Sequence, residues 1–392
     1  MIMAVAALAI DMMLPAFGAM RSEFGLAIDS NALAPMVTFF LLGLGFGQPV
    51  WGPLSDALGR KRILYLGLGV YALGSIGAAF APNLDVLFTL RFVAGAGAAG
   101  PRVVANGIVR DAYEGQTMAK VMSYVMAVFI AVPVVAPALG SVVLSIGSWQ
   151  IIFWIFAFFA LGVGLWSTRL PETLPASRRI PLNARKLFEA TASVLRNRFT
   201  MALTLAQTAV FGFFASYLAS SQLIIDDVFG LDPWFPLIFG GSAAVLGLGM
   251  LLNTRLLNVL DLRTLLRMTV GVYTTAAFLF ATMAWVSGGT PPFWLFLASL
   301  MPILLSHALL IPNLNAAAMI PMGDVAGTAS AVIGTVSILG GAIVGATIDA
   351  AYNGTIIPLA TAAAVGCALA SVFFVWADRV WDSATHPTEP ID

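Results

Sequence analysis

The sequence predicts an all-α integral membrane protein of about twelve transmembrane helices, arranged as two pseudo-symmetric six-helix bundles. Composition is the first observation behind this. Of 392 residues, 60% are apolar and only 10% charged, whereas a water-facing domain carries roughly 25% charged residues. Second, apolar runs of about 18 residues or more, enough to cross roughly 30 Å of hydrocarbon, recur along the whole chain. Third, the cations gather in alternate connections between those runs.

The same composition excludes other classes. The net charge of zero gives no basis for a nucleic-acid partner. The single cysteine, Cys367, allows neither an internal disulfide nor a cysteine-based metal cluster. No Ser-His-Asp set, metal-ligand spacing or phosphate loop stands in a credible setting, so no enzyme activity, cofactor or metal is expected.

Length and hydropathy place spans at 1–20, 34–54, 63–81, 85–108, 119–144 and 150–168, then at 199–224, 234–254, 265–286, 292–318, 327–350 and 355–377. The first has no basic n-region and carries Asp11 mid-segment, so it reads as a span and not as a cleavable leader. Short junctions at 82–84 and 353–354 make their flanking spans antiparallel neighbours. Of the nineteen Lys and Arg, sixteen fall on one side: Arg60, Lys61, Arg62, Arg110, Lys120, Arg169, Arg178, Arg179, Arg185, Lys186, Arg196, Arg198, Arg255, Arg263, Arg267 and Arg379. Arg21 faces the other side, and Arg91 and Arg102 lie within the fourth span. The positive-inside rule makes the crowded side cytoplasmic, with both termini there. The polar stretch 169–198, containing Pro171, Pro175 and Pro181, separates a bundle at 1–168 from one at 199–377 and leaves a cytoplasmic tail at 378–392. The alternative is one continuous bundle with a long loop.

Residues 52–62, Gly-Pro-Leu-Ser-Asp-Ala-Leu-Gly-Arg-Lys-Arg, form the connection between the second and third spans. Gly52 and Gly59 permit a tight turn and close backbone approach. Asp56 can accept hydrogen bonds from arginines or from a helix N-terminus. Arg60 to Arg62 can grip carboxylates or anionic headgroups, although an ordinary positive-inside loop would also look this way. At every fixed position the string resembles the signature of the major facilitator superfamily, G-x-L-a-D-r-x-G-r-k. That resemblance implies two parallel six-span repeats and a cytoplasmic latch. Its parts would be Gly52, Asp56, Gly59, Arg60 and Lys61, with Arg110 or Asp111 at the end of the fourth span, and it would stabilise the outward-facing state.

Asp11 is the next candidate, because a carboxylate inside a span is costly and marks a functional site by default. Pro15 and Gly18 follow on the same helical face. Asp11 either pairs with an arginine to hold the bundle or carries a proton, its affinity raised by burial and lowered by a nearby cation or cationic substrate. The run 10–15, Ile-Asp-Met-Met-Leu-Pro, resembles the first-span motif of drug–proton antiporters, in which the aspartate is functional.

Arg91 and Arg102 are eleven residues apart, so they share one face about 16 Å apart along the axis. Counted from the nearest span ends, Asp11 and Arg91 lie within roughly 5 Å of the same depth, with Arg102 deeper toward the cytoplasm. Residues 91–95 are similar to the fourth-span motif whose arginine is linked to proton transfer, with Ala94 in place of the usual glutamine. A structural salt bridge is the alternative for Arg91. Arg102 and Asn106 can contact an anionic or polar substrate. Residues 95–100 form a G-x-G-x-x-G string, but no strand precedes it. Close helix packing through small residues explains it better than a dinucleotide site.

In the fifth span Pro133, Pro137 and Gly140 bend the helix and allow close contact. They resemble the antiporter motif g-x-x-x-G-P-x-x-G-G, with Ala136 and Ser141 replacing two glycines. The proline pair and Arg110-Asp111 resemble the bicyclomycin- and chloramphenicol-resistance subgroup of twelve-span drug exporters, as do 310–318 and 326–330. In the second half Gln207, Phe211, Phe214 and Ser221 share a stripe of the seventh span. With Asn313 and Asn315, the first three are candidate cavity-lining residues. His307 reads as a packing or interfacial residue, and the 255–267 connection sits where a second latch would be without its full pattern.

The resemblance implies a monomeric, proton-driven exporter of small, mainly lipophilic compounds at a bacterial-type inner membrane. Its partners would be a small-molecule substrate, protons and the lipid bilayer. Two rivals stay open: a transporter of one defined metabolite, anionic or otherwise, anchored by Arg91 or Arg102, and a non-transporting membrane receptor or scaffold.

Overall fold

The computed structural model describes residues 1–27, 29–113 and 115–385. The described chain is all-helical: α1 (Ala4–Asp11), α2 (Phe17–Glu23), α3 (Pro35–Leu58), α4 (Arg60–Ala79), α5 (Leu84–Ala112), α6 (Gly115–Ile146), α7 (Gln150–Trp166), α8 (Ala184–Arg196), α9 (Arg198–Leu223), α10 (Phe235–Leu256), α11 (Leu262–Val286), α12 (Phe293–Met319), α13 (Ala326–Ala350), α14 (Ile357–Arg379) and α15 (Trp381–Thr385). Among the described residues, ten stretches are long and apolar enough to cross a membrane. One of them, Phe293–Ala350, is two helices, α12 and α13, joined by a 3₁₀ turn. The apolar part of α6, Ala131–Ile146, is shorter and completes the expected twelve. The side chain of Lys120 and residues 386–392 of the expected tail lie outside the described residues.

Side-chain caps mark several helix starts. Asn83, Asn183 and Asp261 accept the N–H groups of Val86, Lys186 and Thr264 at 2.9 to 3.0 Å, satisfying donors that a helix start leaves open. Hydrogen bonds from Thr264's hydroxyl and N–H hold the Asp261 carboxyl below the usual carboxylate range.

By packing, the chain forms two compact units: Met1–Leu182 with Ala215–Ala244, and Asn183–Phe214 with Val245–Asp392. The C-terminal part of α9 and the N-terminal part of α10 therefore pack with the first seven helices, across the boundary at 169–198 read from the sequence.

In the first unit α5 lies backbone to backbone against α3 and α4. A Cβ at Gly95 would overlap the carbonyl oxygen of Phe40, one at Gly43 that of Phe92, and one at Gly97 the backbone nitrogen of Tyr71. The 95–100 string is thus a packing surface in the sense of small residues drawing helices together. In the second unit α11 packs on α12 and α14, and Gly366 stands against the carbonyl of Ala209, where a Cβ would come within 2.9 Å.

Gly95→Val should lower the melting temperature of the purified protein sharply, since overpacking a tight contact costs about 1–3 kcal/mol. Gly69→Ala, where a Cβ meets nothing within 4 Å, should leave it unchanged; thermal unfolding in detergent separates the two.

Candidate functional site

The first span is broken directly after Asp11. The ladder of α1 ends with the Met12 N–H on the Leu8 carbonyl, and Pro15, lacking an N–H, sits in the 3₁₀ turn Leu14–Ala16 before α2 resumes. Asp11 is 3% exposed, at the C-terminal end of a short helix.

Two neighbours hold this break. From α5, the wholly buried Arg91 donates through Nη2 to the Ala9 carbonyl at 3.0 Å and through Nε to the Met36 carbonyl of α3 at 3.3 Å. Its guanidinium lies 4.4 Å from the centre of the Phe40 ring and 6.0 Å from that of Phe153. The Ala9 carbonyl lies one step beyond the last ladder bond of α1, so a side chain takes the place of the missing backbone donor. From α6, Gly140 abuts the Met12 carbonyl and lies beside Pro15; α6 stays helical through Pro133 and Pro137. At the far end of α2, Glu23 accepts from Trp149 Nε1 at 2.6 Å and Gln150 Nε2 at 3.0 Å.

Arg91 and Asp11 form no ion pair among the described residues. The arginine grips the backbone two residues before the carboxylate, and its Nη1 is buried with no acceptor among the described residues. Tyr71 of α4, fully buried, is an electrostatic neighbour of Arg91. From α9, Tyr217 is an electrostatic neighbour of Asp11 and stacks on Phe239 with centroids 6.0 Å apart. The C-terminal part of α9 and the turns beyond it are also tied to the end of α2 and the segment that follows it. Arg21 donates to Gln222 and lies 3.8 Å from Asp226, Gln222 donates to Asp232 at 2.8 Å, and Asn31 donates to Ser220 at 3.3 Å.

A second constellation surrounds Arg60. The sequence suggests a loop at 55–62, but α3 runs to Leu58 and α4 begins at Arg60, leaving Gly59 as the joint with φ of 101°. That backbone region favours glycine. Gly52 instead lies inside α3, and a Cβ there would meet nothing within 4 Å, so the close approach expected of it is absent. The buried Arg60 pairs with Asp56 at 2.6 Å and Asp111 at 2.7 Å and donates to Ser55 Oγ at 2.8 Å. Of the two partners expected from the end of α5, Asp111 makes the bond, while Arg110 is exposed. Glu172, unremarked in the sequence, caps α4 by accepting the N–H groups of Arg60 at 2.9 Å and Lys61 at 3.2 Å. Lys61 Nζ reaches the Thr168 carbonyl at 3.2 Å, and the Ile180 N–H donates to the Asp56 carbonyl at 3.1 Å.

The remaining candidates disperse. Arg102 is half-buried and Asn106 exposed in the first unit. A cleft of about 410 Å³, lined in part by Ala105, Ile108, Val163 and Trp166, includes neither. In the second unit Phe211 and Phe214 are half-buried with ring centres 6.1 Å apart, and Gln207 is buried above them. Asn313 is occupied, donating to Asn253 Oδ1 at 2.6 Å and the Leu309 carbonyl at 2.8 Å, which favours helix pairing over ligand contact; Asn315 is half-buried. His307 packs flat on Phe214 at 4.5 Å. The 255–267 connection forms its own network, Arg263 and Arg267 both pairing with Asp378 at 2.7 and 2.8 Å.

The sequence matches the Major Facilitator Superfamily over residues 1–346. The chain belongs to that superfamily. An uncharacterized MFS-type transporter of Bacillus subtilis (strain 168), YdgK, is 30% identical over 339 residues, 86% of this chain and 83% of its own. A bicyclomycin resistance protein homolog of Haemophilus influenzae is 26% identical over 89% of this chain and 87% of its own. The Escherichia coli multidrug resistance protein MdtL is 28% identical over 53% of each chain. The superfamily fold is shared with the human organic anion transporter MFSD10, with a TM-score of 0.71 and 16% identity over 97% of both chains. It is shared also with a D-xylose-proton symporter, with a TM-score of 0.73 and 12% identity over 97% of this chain and 95% of that one. The chain is thus a multi-pass membrane protein of a transporter family.

Glu172→Ala should lower the melting temperature by the equivalent of about 1 kcal/mol, the usual cost of losing a helix cap. Glu172→Gln, which keeps an acceptor oxygen, should recover part of that loss in the same thermal scan.

Proposed function

We propose that this protein exports small, mainly lipophilic compounds in exchange for protons by alternating access, with Asp11 as the proton-coupling group and Arg91 as its partner. One observation carries the reading: a buried carboxylate stands at the break of the first span, two residues after the Ala9 carbonyl held by a buried arginine whose Nη1 has no acceptor among the described residues. A charge held without a partner in a low-dielectric interior is expensive. Protonated Asp11 removes its own charge. Once deprotonated, it becomes the natural acceptor for Arg91 Nη1, and that new bond competes with the Arg91 grip on the Ala9 carbonyl. The protonation state of Asp11 thereby acts on the geometry of the first span. Substrate and proton then exclude one another by competing for the same charge balance. The relatives named for bicyclomycin and multidrug resistance support the drug-efflux class and the export direction.

On this reading 1–168 and 199–377 are the two repeats, the Arg60-rich side and both termini are cytoplasmic, and the protein works as a monomer in a bacterial inner membrane. The Asp56–Arg60–Asp111 cluster would be the cytoplasmic latch, and the Arg21–Gln222–Asp226 cluster its counterpart at the opposite end of the first span. Half-buried Phe211 and Phe214, with Gln207, suit an apolar substrate, with Arg102, Asn106 and Asn315 as further candidate contacts.

Substrate added to everted membrane vesicles carrying the protein should release protons, and Asp11→Asn should abolish that release while leaving protein yield intact. Coupling that survives Asp11→Asn removes Asp11 from the mechanism. Arg21→Gln should increase thiol labelling of Ser220→Cys by about tenfold, the equivalent of losing roughly 1.4 kcal/mol from the closed cluster; equal labelling would show that the cluster gates nothing.

A further inference from the structure

The connection between the two expected repeats contains a helix, α8, that no part of the transport site uses. Its thirteen residues, Ala184–Arg196, present three separate faces. At 100° per residue, Leu187, Ala190, Thr191 and Val194 share one face. Val194 is fully buried there, and α8 packs on α13. A second face, about 110° around, carries Ala184, Phe188, Ala192 and Leu195. Phe188 is 73% exposed and Leu195 49% exposed, so this stripe is apolar and uncovered. The third face is polar, with Glu189 and Ser193. Arg185 and Arg196 stand at the border between the apolar stripe and the polar face. Arg185 makes only an exposed pair with Glu189 at 2.8 Å.

Position fixes what can cover the stripe. Only Asn197 separates α8 from α9, which begins at Arg198 and is itself a membrane span. Because α9 enters hydrocarbon, α8 must emerge at the level of the headgroups. A Phe and a Leu flanked by arginines at that level have the pattern of a helix lying in the interface, its apolar side against acyl chains and its cations among phosphates. An exposed arginine needs no protein partner there, because its long stem lets the guanidinium reach the headgroup layer.

We propose that α8 is an anionic-lipid contact: Phe188 and Leu195 insert at the acyl boundary while Arg185, Arg196 and the adjoining Arg198 bind negatively charged headgroups. Since α8 also packs on α13, lipid charge is coupled through α8 to one spanning helix of the second unit.

The full-length protein in lipid nanodiscs tests this. The native thiol, Cys367, is buried, so Phe188→Cys offers the accessible site for an environment-sensitive fluorophore, and Ser193→Cys serves as the polar-face control. Quenching by brominated phosphatidylglycerol is compared with quenching by brominated phosphatidylcholine. The expected result is apolar, quenchable emission at 188 and water-like emission at 193, with phosphatidylglycerol preferred at least about twenty-five-fold, about fivefold for each of the two arginines. The preference should fall about fivefold for each arginine removed in Arg185→Gln and Arg196→Gln. Both arginines are exposed, and an unchanged elution profile and melting temperature would confirm that the variants fold. Water-like emission at 188 would overturn the membrane placement. Equal quenching by the two lipids would overturn the anionic specificity, and a preference that survives both substitutions would overturn the assignment to α8.

Discussion

Arg91's two hydrogen bonds to backbone carbonyls, one on Ala9 and one on Met36, are the interaction on which the first unit depends. A buried guanidinium carries five donors and a full charge, and breaking its pairing would cost several kcal/mol. Arg91 meets part of that demand with main-chain oxygens and aromatic faces, and so joins α1, α3 and α5 at one point. The carbonyl it takes from α1 is available because the span breaks, and the break comes where Asp11 is followed four residues later by Pro15. The helix interruption, the buried arginine and the buried acid are therefore parts of one arrangement.

Glycine makes that arrangement possible at short range. The α5 glycines bring its backbone against α3 and α4, so the Arg91 side chain reaches carbonyls of two other helices. Gly140 does the same for α6 at Met12. At the opposite end of α3 the same economy recurs. Gly59 turns the chain in a single residue, Arg60 lands between two aspartates, and Glu172 closes the exposed start of α4. The two constellations differ in exposure. Arg91 has no route to water, while Asp56 and Glu172 are partly open to solvent and can exchange partners at lower cost.

Much of this was legible in the sequence. Hydropathy and span length located the helices because crossing a bilayer imposes a length that few other constraints override. The 52–62 string pointed to Asp56, Gly59 and Arg60, and depth counting brought Arg91 to the level of the first-span acid. Other features were not legible, for physical reasons. Whether Arg91 bonds the Asp11 side chain or the neighbouring backbone depends on a helix break of a few residues, which periodicity does not resolve. Gly52 looked like a turn glycine because the motif resembles a loop, whereas α3 runs on to Leu58 through Gly52 and Pro53 despite their low helix propensity. Glu172 sits in a proline-flanked stretch with no periodic signal, and its capping contact is 112 residues away in sequence. Asn313 resembled a ligand contact, since an asparagine in a span has equal reason to face a substrate or another asparagine. Its partner, Asn253, carried no motif.

On the proposed reading, function reduces to whether one carboxyl group changes protonation when substrate binds. Infrared difference spectroscopy on the purified, membrane-reconstituted protein measures that directly. Substrate addition should remove the carbonyl stretch of a protonated carboxylic acid and add carboxylate bands, and both changes should vanish in Asp11→Asn. A substrate-induced spectrum with no carboxylic acid signal, or one unchanged by Asp11→Asn, would contradict the account.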